Sequence, residues 1–386
     1  MISRDSHRNT LFENESEKDP LFVLGTTFTA SGVEFDASSQ HWKYRDETYD
    51  ISLNFSSIAG CTTDFIHQLK YLLKWYASNL STYSLKNAFE RLKSLISFTY
   101  GSTRENLEVI NSSHLLAFSS SLPKNDGTLS ALSSVIKKGR ALGLTIFSKD
   151  AVALFEQKTF KGNQKGVAVA TLCPYFGPFS NIEYEAILSK IRDAYAGGLF
   201  SEYEIVLVLL FLVLGQRPVQ YAALKLGDFK VRQDGAGNLE YSIDVPRAKQ
   251  RDTLRRKSFK NRVLTESIGK IILIHINQVK KQFRGLLTDL NQLPMFPQRD
   301  TKHEFSAGFE FHRTAHSILA DLKGALDPLE IFSERTGEYI NITGRRFRYT
   351  VGTRAAGEGH GPLIIAELMD HSDTQNVLVY GNPPSK

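Results

Sequence analysis

The sequence has few cysteines and no long apolar run, and both shortages narrow the classes of protein to which it can belong. Among its 386 residues are two cysteines, Cys61 and Cys173, which lie far apart and outside any Cys-x-x-Cys motif. They predict neither a disulfide framework nor a cysteine-rich zinc site, and we expect a reducing compartment. The longest apolar run, residues 205 to 214, is about half as long as a membrane helix. We interpret it as a buried helix of a soluble protein.

The start of the chain lacks the features of a signal peptide. Residues 1 to 18 are polar and mixed in charge, without an apolar core flanked by basic residues. We therefore expect a cytoplasmic protein. Up to Pro20 the acidic start has little apolar surface to bury and is expected to be loosely attached. We treat residues 1 to 54 as an N-terminal acidic segment of unknown role.

Positive charge is concentrated in one part of the chain. Residues 1 to 50 carry five Lys/Arg and ten Asp/Glu, so a net charge of +6 leaves +11 for residues 51 to 386. Residues 247 to 262 hold eight basic residues and one acid, Asp252. Such a run can be a solvated loop or can bind phosphates. The phosphate-binding interpretation is favoured only if the run lies beside a site that binds phosphates.

Helical periodicity predicts a first folded domain at residues 55 to 160. Apolar residues at helical spacing run from Phe65 to Tyr76, behind Thr62 or Thr63 as an N-cap. Further helical stretches are predicted near residues 85 to 96, 129 to 142 and 151 to 157. Residues 161 to 179 combine Lys, Gly, Pro and Gln and predict a linker.

Residues 180 to 386 predict a second, mostly helical domain with one small sheet. Ser180 with Glu183, and Ser201 with Glu204, have the spacing of capping boxes. A hairpin is predicted with strands at residues 241 to 245 and 263 to 264, joined by the basic run. Helices are predicted near residues 268 to 283, 314 to 322, 348 to 356 and 363 to 369. The expected fold class is therefore mainly α with a small β-sheet.

Three short segments of the second domain carry candidate catalytic residues. They are Gly-Gln-Arg-Pro ending at Pro218, Arg-Arg-Phe-Arg ending at Arg348, and Leu-Met-Asp-His-Ser around His371. His371 follows Arg348 by 23 residues and precedes Tyr380 by nine. Arg217 alone could be an ordinary helix cap. In this order and spacing, however, the segments resemble the catalytic domain of the tyrosine recombinase (phage integrase) family of site-specific DNA recombinases.

The resemblance implies a role for each matching residue. Tyr380 is expected to be the nucleophile, Arg217 and Arg348 to hold the scissile phosphate, and His371 to assist them. The family's general acid is a lysine on the hairpin, for which Lys249 is the candidate that best matches the position. Lys257 and Lys260 are the alternatives, because the connection between the strands is longer here than usual.

The resemblance also implies the partners. The first domain would be a helical DNA-binding (core-binding) domain, and both domains would clamp double-stranded DNA as a homo-oligomer, between a dimer and a tetramer. The basic run would contact the DNA backbone through Lys249, Arg251, Arg255, Arg256, Lys257, Lys260 and Arg262. No cofactor, metal ion or membrane is expected to take part.

These residue types suit attack on a phosphodiester. One guanidinium group can donate hydrogen bonds to two phosphate oxygens at once, and it keeps its positive charge at all physiological pH values. A tyrosine hydroxyl, with a reference pKa of about 10, must lose its proton as it attacks. The resulting phosphotyrosyl ester stores the energy of the broken bond, so rejoining needs neither ATP nor a metal.

Three departures from the family pattern keep an alternative open. Arg345 stands where the family has a histidine, and an arginine cannot act as a base. Gln220 stands where the family has an acidic residue that orients the site, although an amide can still support it by hydrogen bonding. Six residues follow Tyr380, which leaves no room for the helix that many relatives pass to a neighbour. A DNA-binding relative without strand transfer, with an architectural or regulatory role, is therefore the competing hypothesis.

A metal-dependent nuclease is a more distant hypothesis. His312 and His316 have the spacing of metal ligands on a helix, but Arg313 occupies the place of the glutamate in His-Glu-x-x-His. No third ligand and no cluster of carboxylates accompany them. We interpret this pair as chance or packing.

Overall fold

The computed structural model describes residues 22–123, 126–160, 166–233, 235–248, 256–298 and 304–370, together with residue 380. This described part forms two compact units. The first comprises the described residues from 22 to 43 and from 52 to 160, and the second those from 44 to 51 and from 166 onward.

The first unit consists of short strands followed by five described helices. Its strands are β1 (Thr26–Phe28) and β2 (Glu34–Asp36), which pair antiparallel, and half of each of β3 (His41–Asp46) and β4 (Tyr49–Asn54), which pair with each other. Its helices are α1 (Thr63–Asn79), α2 (Thr82–Thr103), α3 (Ser112–Ser121), α4 (Thr128–Ala141) and α5 (Lys149–Gln157). The predicted helical stretches correspond to α1, α2, α4 and α5, whereas the strands and α3 were not predicted.

An aromatic cluster packs the strand segment against α2. The Trp42 ring lies 5.0 Å from Phe55, and Phe55 lies 5.5 Å from Phe89 of α2. All three side chains are buried, and aromatic pairs at these distances add to the free energy of area burial. Residues 22 to 43 and 52 to 54 therefore belong to the folded first unit. Their strands of three to six residues are too short to show a clear alternation in sequence.

The N-cap of α1 is Thr62, as predicted, because its side chain accepts a hydrogen bond from the backbone N–H of Phe65.

Several basic residues of the first unit make hydrogen bonds within its own fold. Lys70 is buried and donates to the carbonyl of Ser38 at 2.9 Å, and Lys93 donates to Ser57 at 2.9 Å. Lys70 is therefore a structural residue of the first unit and does not lie on a solvated helix face.

The second unit is built around one buried helix. Its helices are α6 (Val167–Ala170), α7 (Asn181–Ala196), α8 (Glu202–Leu214), α9 (Pro218–Ala222), α10 (Glu266–Gln282), α11 (Ala315–Leu326), α12 (Gly344–Gly357) and α13 (Pro362–Leu368). Helix α8 contains the apolar run and packs against α10, α11 and α12. Eight residues of this helix are buried, which explains why it is apolar on nearly every side. Both predicted capping boxes are confirmed, at the starts of α7 and α8.

A three-stranded antiparallel sheet lies beside these helices. Its strands are β5 (Phe229–Gln233), β6 (Leu239–Pro246) and β7 (Phe259–Leu264), in the order β5-β6-β7. Phe229 pairs with Ile243, and Tyr241 pairs with Leu264. The predicted hairpin is confirmed as β6 and β7, both longer than expected, and β5 was missed. The fold is mainly α with small antiparallel sheets, as expected.

The turn between β3 and β4 belongs to the second unit. Ser306 Oγ accepts from the backbone N–H of Glu47 at 2.8 Å and donates to the carbonyl of Arg45 at 2.9 Å. The N–H of Ala315 donates to the carbonyl of Thr48 at 3.2 Å. Part of the acidic N-terminal segment thus packs beside the start of α11. Across the described residues, no helix is both long and apolar enough to cross a membrane.

Candidate active site

Arg217 lies in the short connection between α8 and α9. Gly215 ends α8 with a left-handed backbone (φ 55°), and a Cβ at this position would lie 3.0 Å from Val351 and 3.2 Å from the Cα of Arg348. Glycine therefore allows the end of α8 to approach α12 closely. Pro218 then starts α9 and leaves Arg217 as its N-cap. The sequence Gly-Gln-Arg-Pro thus fixes the backbone position from which the side chain of Arg217 extends.

Arg348 joins two element ends at the same place. It lies on α12 and is 9% exposed, and its guanidinium donates to the carbonyl of Gly215 at 3.1 Å and to that of Met369. Burial, followed by the charge of Arg217, lowers the pKa of Arg348 to about 10. The side chain is still protonated at neutral pH. Arg348 therefore brings a permanent positive charge to the junction of α8, α12 and the residues after α13.

The side chain of Tyr380 is 4% exposed and packs among apolar residues. This cluster includes Val169, Ala355, Ile365, Ala366 and Met369, with Tyr349 and Val351 at its edge. The ring of Tyr349 lies 6.3 Å from that of Tyr380. Position 352 is also in contact, because a Cβ there would lie 2.6 Å from Cε1 of Tyr380. Gly352 leaves the space that the Tyr380 ring occupies against α12.

The hydroxyl of Tyr380 shares an electrostatic environment with both arginines. Burial raises the pKa of Tyr380, and the positive charges of Arg348 and Arg217 oppose this change. The net direction is upward, so the phenol is protonated at neutral pH. The effect is mutual, since Tyr380 is also among the groups that influence the pKa values of both arginines. The structure therefore gathers these three residues, which lie up to 163 positions apart, into one site.

Sequence reasoning missed Asp370, an anionic residue of this site. Its side chain is buried, and its carboxylate accepts from Arg247 Nε at 2.6 Å and lies 3.4 Å from Nη1 of Arg217. It also accepts from the backbone N–H of Ala248 at 3.2 Å. The only signal in the sequence was an acidic residue directly before His371. Nothing in the sequence pairs that residue with Arg217 or Arg247.

Gln220 connects Arg217 to this carboxylate. Its Oε1 accepts from the backbone N–H of Arg217 at 3.0 Å. Its Nε2 donates to the carbonyl of Pro246 at 2.9 Å and lies 3.3 Å from Oδ2 of Asp370. A glutamate could not donate these two hydrogen bonds. The amide of Gln220 therefore acts as a hydrogen-bond donor to the carboxylate of Asp370.

The basic run is partly engaged within the second unit. Arg256 makes a two-point ion pair with Asp228 at 2.7 and 2.9 Å. Lys260 and Arg262 both contact the carboxylate of Glu367 near the end of α13. Lys257 is exposed. The predicted DNA-binding residues Lys249, Arg251 and Arg255 lie outside the described residues, as does His371.

Neighbouring arginines at the start of α12 have different environments. Arg345, which takes the place of the family's histidine, is exposed. Arg346 is fully buried and donates to the carbonyl of Gly177 at 3.0 Å and to Glu183 at 3.1 Å. Arg335 also pairs with Glu183. Arg346 therefore anchors the start of α12 to Gly177 and Glu183, whereas Arg345 faces solvent.

The two histidines with metal-ligand spacing do not share a helix. Thr314 caps α11, so His316 lies on the helix and His312 precedes it. His312 is fully buried and its Nδ1 lies 2.7 Å from the carbonyl of Ala222, while His316 is exposed. Within the described ranges, no group of three His, Cys, Asp or Glu side chains could hold a metal ion. His312 instead supports the end of α9.

No protein-family model matches the sequence, and no curated protein is significantly similar to it. Several solved structures do resemble the chain. The XerH site-specific recombinase bound to difH substrate has 16% identity and a TM-score of 0.47, with 83% of this chain and 81% of that chain covered. A lambda integrase dimer bound to a COC′ core site has 14% identity and a TM-score of 0.48, with 90% and 93% covered.

The Tn1549 transposon integrase in complex with circular intermediate DNA has 16% identity and a TM-score of 0.48, with 81% of this chain and 96% of that chain covered. These neighbours are site-specific recombinases and integrases, the class of protein that the motifs resemble.

Proposed function

We propose that this chain is a tyrosine-type site-specific DNA recombinase or integrase, a strand transferase that cuts and rejoins duplex DNA. One observation carries the proposal. The buried ring of Tyr380 lies against Gly352, one turn after Arg348 on α12, and the charges of Arg348 and Arg217 act on its hydroxyl. A nucleophile beside two permanent cations is the arrangement that attack on a phosphodiester requires.

In the proposed reaction, the hydroxyl oxygen of Tyr380 bonds to the scissile phosphorus while the bond from phosphorus to the 5′ oxygen breaks. A 3′-phosphotyrosyl ester and a free 5′ hydroxyl result. Negative charge grows on the non-bridging oxygens during attack, and Arg217 and Arg348 bind those oxygens. Each arginine is expected to lower the barrier by about 3 kcal/mol. In the reverse step a 5′ hydroxyl attacks the ester, so rejoining consumes neither ATP nor a metal ion.

Charges around the site favour an anionic substrate. Among the described residues, the guanidinium groups of Arg217 and Arg247 contact the carboxylate of Asp370, and that of Arg348 lies close enough to feel its charge. Together these four groups carry a formal charge of +2. A phosphodiester brings a charge of −1 and gains a further negative charge as the nucleophile adds. The excess of positive charge therefore matches the charge of the transition state.

Proton transfer requires two further groups. The pKa of Tyr380 is raised, chiefly by burial, so its proton must leave as the oxygen attacks. Arg345 cannot accept it, which leaves another side chain or solvent. We propose Lys249 as the general acid for the 5′ oxygen, with Lys257 and Lys260 as alternatives, and His371 as a hydrogen-bond donor to the phosphate.

DNA binding is proposed for both folded parts of the chain. Residues 55 to 160 would contact one face of the duplex as a core-binding domain, and residues 180 to 386 would contact the other. The chain would act on DNA as a homo-oligomer, a dimer to a tetramer, in the cytoplasm. The basic run would bind backbone phosphates through those of its side chains that the fold leaves free.

The test begins by finding a substrate. The Tyr380→Phe variant selects duplexes from a randomised pool over repeated rounds of binding. Nicked versions of the selected duplexes are then incubated with the unmodified protein, with and without EDTA. We expect a covalent protein–DNA adduct that survives denaturation, does not need divalent metal, and is absent with Tyr380→Phe.

The outcomes separate the candidate functions. Specific binding without any adduct would support the DNA-binding relative that lacks strand transfer. Cleavage that EDTA abolishes, or that persists in Tyr380→Phe, would support a metal-dependent nuclease. Neither outcome is compatible with the phosphotyrosyl mechanism.

A further inference from the structure

Asp370 holds together two cationic residues that are distant in sequence. Its Oδ1 accepts from Arg247 Nε at 2.6 Å, and its Oδ2 lies 3.4 Å from Arg217 Nη1. Its backbone carbonyl accepts from both terminal nitrogens of Arg217 at 3.4 Å. One residue therefore contacts Arg217 through its side chain and its backbone.

The surroundings of Asp370 show that this arrangement is specific. The side chain is 1% exposed, and burial of a carboxylate is costly unless charged partners and hydrogen bonds offset it. Its backbone is left-handed, with φ 48°, a conformation that residues other than glycine rarely adopt. Such a backbone and a buried charge are retained together where the contacts they allow stabilise the fold or the site.

Asp370 also anchors the start of the basic connection between β6 and β7. Besides Arg247, its carboxylate accepts from the backbone N–H of Ala248 at 3.2 Å. Gln220 reaches both the carboxylate and the carbonyl of Pro246. The end of β6 is therefore fixed to the same group that orients Arg217. Lys249 follows Ala248 directly in the sequence.

We propose that Asp370 is a positioning residue for strand cleavage, which orients the guanidinium of Arg217 toward the scissile phosphate and holds Arg247 beside it. This inference rests on the proposed function, since it assigns a role within the same site. Without the carboxylate, Arg217 and Arg247 repel each other and Arg217 loses its side-chain acceptor. Its guanidinium then samples orientations that do not match the phosphate oxygens, and such misplacement slows a reaction strongly.

The test measures the single-turnover rate of adduct formation on the selected nicked duplex. Asp370→Asn keeps the shape of the side chain and tolerates the left-handed backbone, but it removes the charge. We expect this rate to fall at least about tenfold. DNA affinity, measured in the Tyr380→Phe background, is expected to change less than about threefold, because phosphate contacts elsewhere dominate binding.

A double-mutant cycle shows whether Asp370 acts through Arg217. In an Arg217→Lys background, adding Asp370→Asn is expected to change the rate less than about twofold, because the guanidinium that it orients is gone. Asp321→Asn serves as the matched control, since Asp321 pairs with Arg313 elsewhere in the unit. This control is expected to lower thermal stability and to leave the rate unchanged.

Several results would overturn the inference. Folded Asp370→Asn that cleaves at the wild-type rate would do so, as would rate losses that multiply fully with Arg217→Lys. If Asp370→Asn does not fold, Asp370→Gly relaxes the left-handed backbone and must show the same rate loss. Failure of the unmodified protein to form the Tyr380 adduct would remove the proposed function itself, a result distinct from normal cleavage by the Asp370 variants.

Discussion

Gly352 lies against the ring of Tyr380, and a Cβ at position 352 would stand 2.6 Å from Cε1 and 2.8 Å from Cδ1 of that ring. Two carbon atoms cannot approach so closely, so any larger residue at 352 must displace the tyrosine. The position of the proposed nucleophile thus depends on a missing side chain one turn after Arg348 on α12.

Gly352→Ala is expected to slow adduct formation by about 100-fold, because a displacement of about 1 Å at a reacting atom has an effect of this size. The helix itself should tolerate alanine. Single-turnover adduct formation on the selected nicked duplex measures the effect. Gly357→Ala, on the same helix with open space around its Cβ, is the control and should react normally. A normal rate for Gly352→Ala would show that the ring position has no influence on cleavage.

Arg348→Lys is expected to reduce the rate of adduct formation by about 100- to 1000-fold. An ammonium group is a single point charge. It cannot reproduce the planar set of donors that binds the carbonyls of Gly215 and Met369 and, in the proposed reaction, two phosphate oxygens. Arg354→Lys is the control on the same helix, since Arg354 packs over Tyr184 at 4.3 Å, away from the site. Equal rates for Arg348→Lys and the unmodified protein would contradict a role in binding the phosphate.

Glu183→Gln is expected to reduce the free energy of unfolding by about 3–5 kcal/mol, because it leaves two arginines without their buried counter-charge. Burial alone would raise the pKa of Glu183, but hydrogen bonds from Arg335 and Ser333 hold it below its usual value. Chemical denaturation measures the change. Glu185→Gln, exposed on the same helix, should change stability by less than about 0.5 kcal/mol. A similarly small effect at position 183 would mean that the buried ion pairs contribute little.

His312 is expected to make the fold sensitive to acid. Burial lowers its pKa to about 3 from 6.5, so the unfolded chain binds a proton on this residue that the folded chain does not. The stability that depends on neutral His312 is present above pH 6.5 and is lost as the pH falls from there toward about 3. In denaturation curves, unmodified protein should lose more stability between pH 7 and pH 4 than His312→Gln does, by a few kcal/mol at most. His316→Gln, on the surface, should behave like the unmodified protein, and equal losses in all three proteins would contradict the assignment.

Much of the local structure could be predicted because its causes are local. Thr62 caps α1, and the capping boxes at Ser180 and Ser201 start α7 and α8, since a cap and its partner lie within one helical turn. The apolar run that ends at Leu214 could be recognised as a buried helix for the same reason. Strands β1 to β4 were missed because they are short and carry no clear alternation.

The sequence predicted several residues of the site, but not the environment of each side chain. The motifs named Tyr380, Arg217 and Arg348, and the structure gathers these three. The sequence could not show that Arg346 is buried while Arg345 faces solvent, because the two are adjacent arginines of one basic segment. Which of the two arginines contacts Glu183 depends on which face of α12 packs toward α7.

By itself, the sequence determined most of the long helices, one hairpin of the sheet and a set of chemical groups suited to phosphate transfer, because periodicity, capping and residue type act over a few positions. The tertiary structure alone decided that the counter-charge of Arg217 comes from Asp370, 153 residues away, and that Gly352 leaves room for Tyr380. Such contacts depend on how α8, α12 and the residues after α13 pack together. That packing is set by the burial of the whole core, which no short segment encodes.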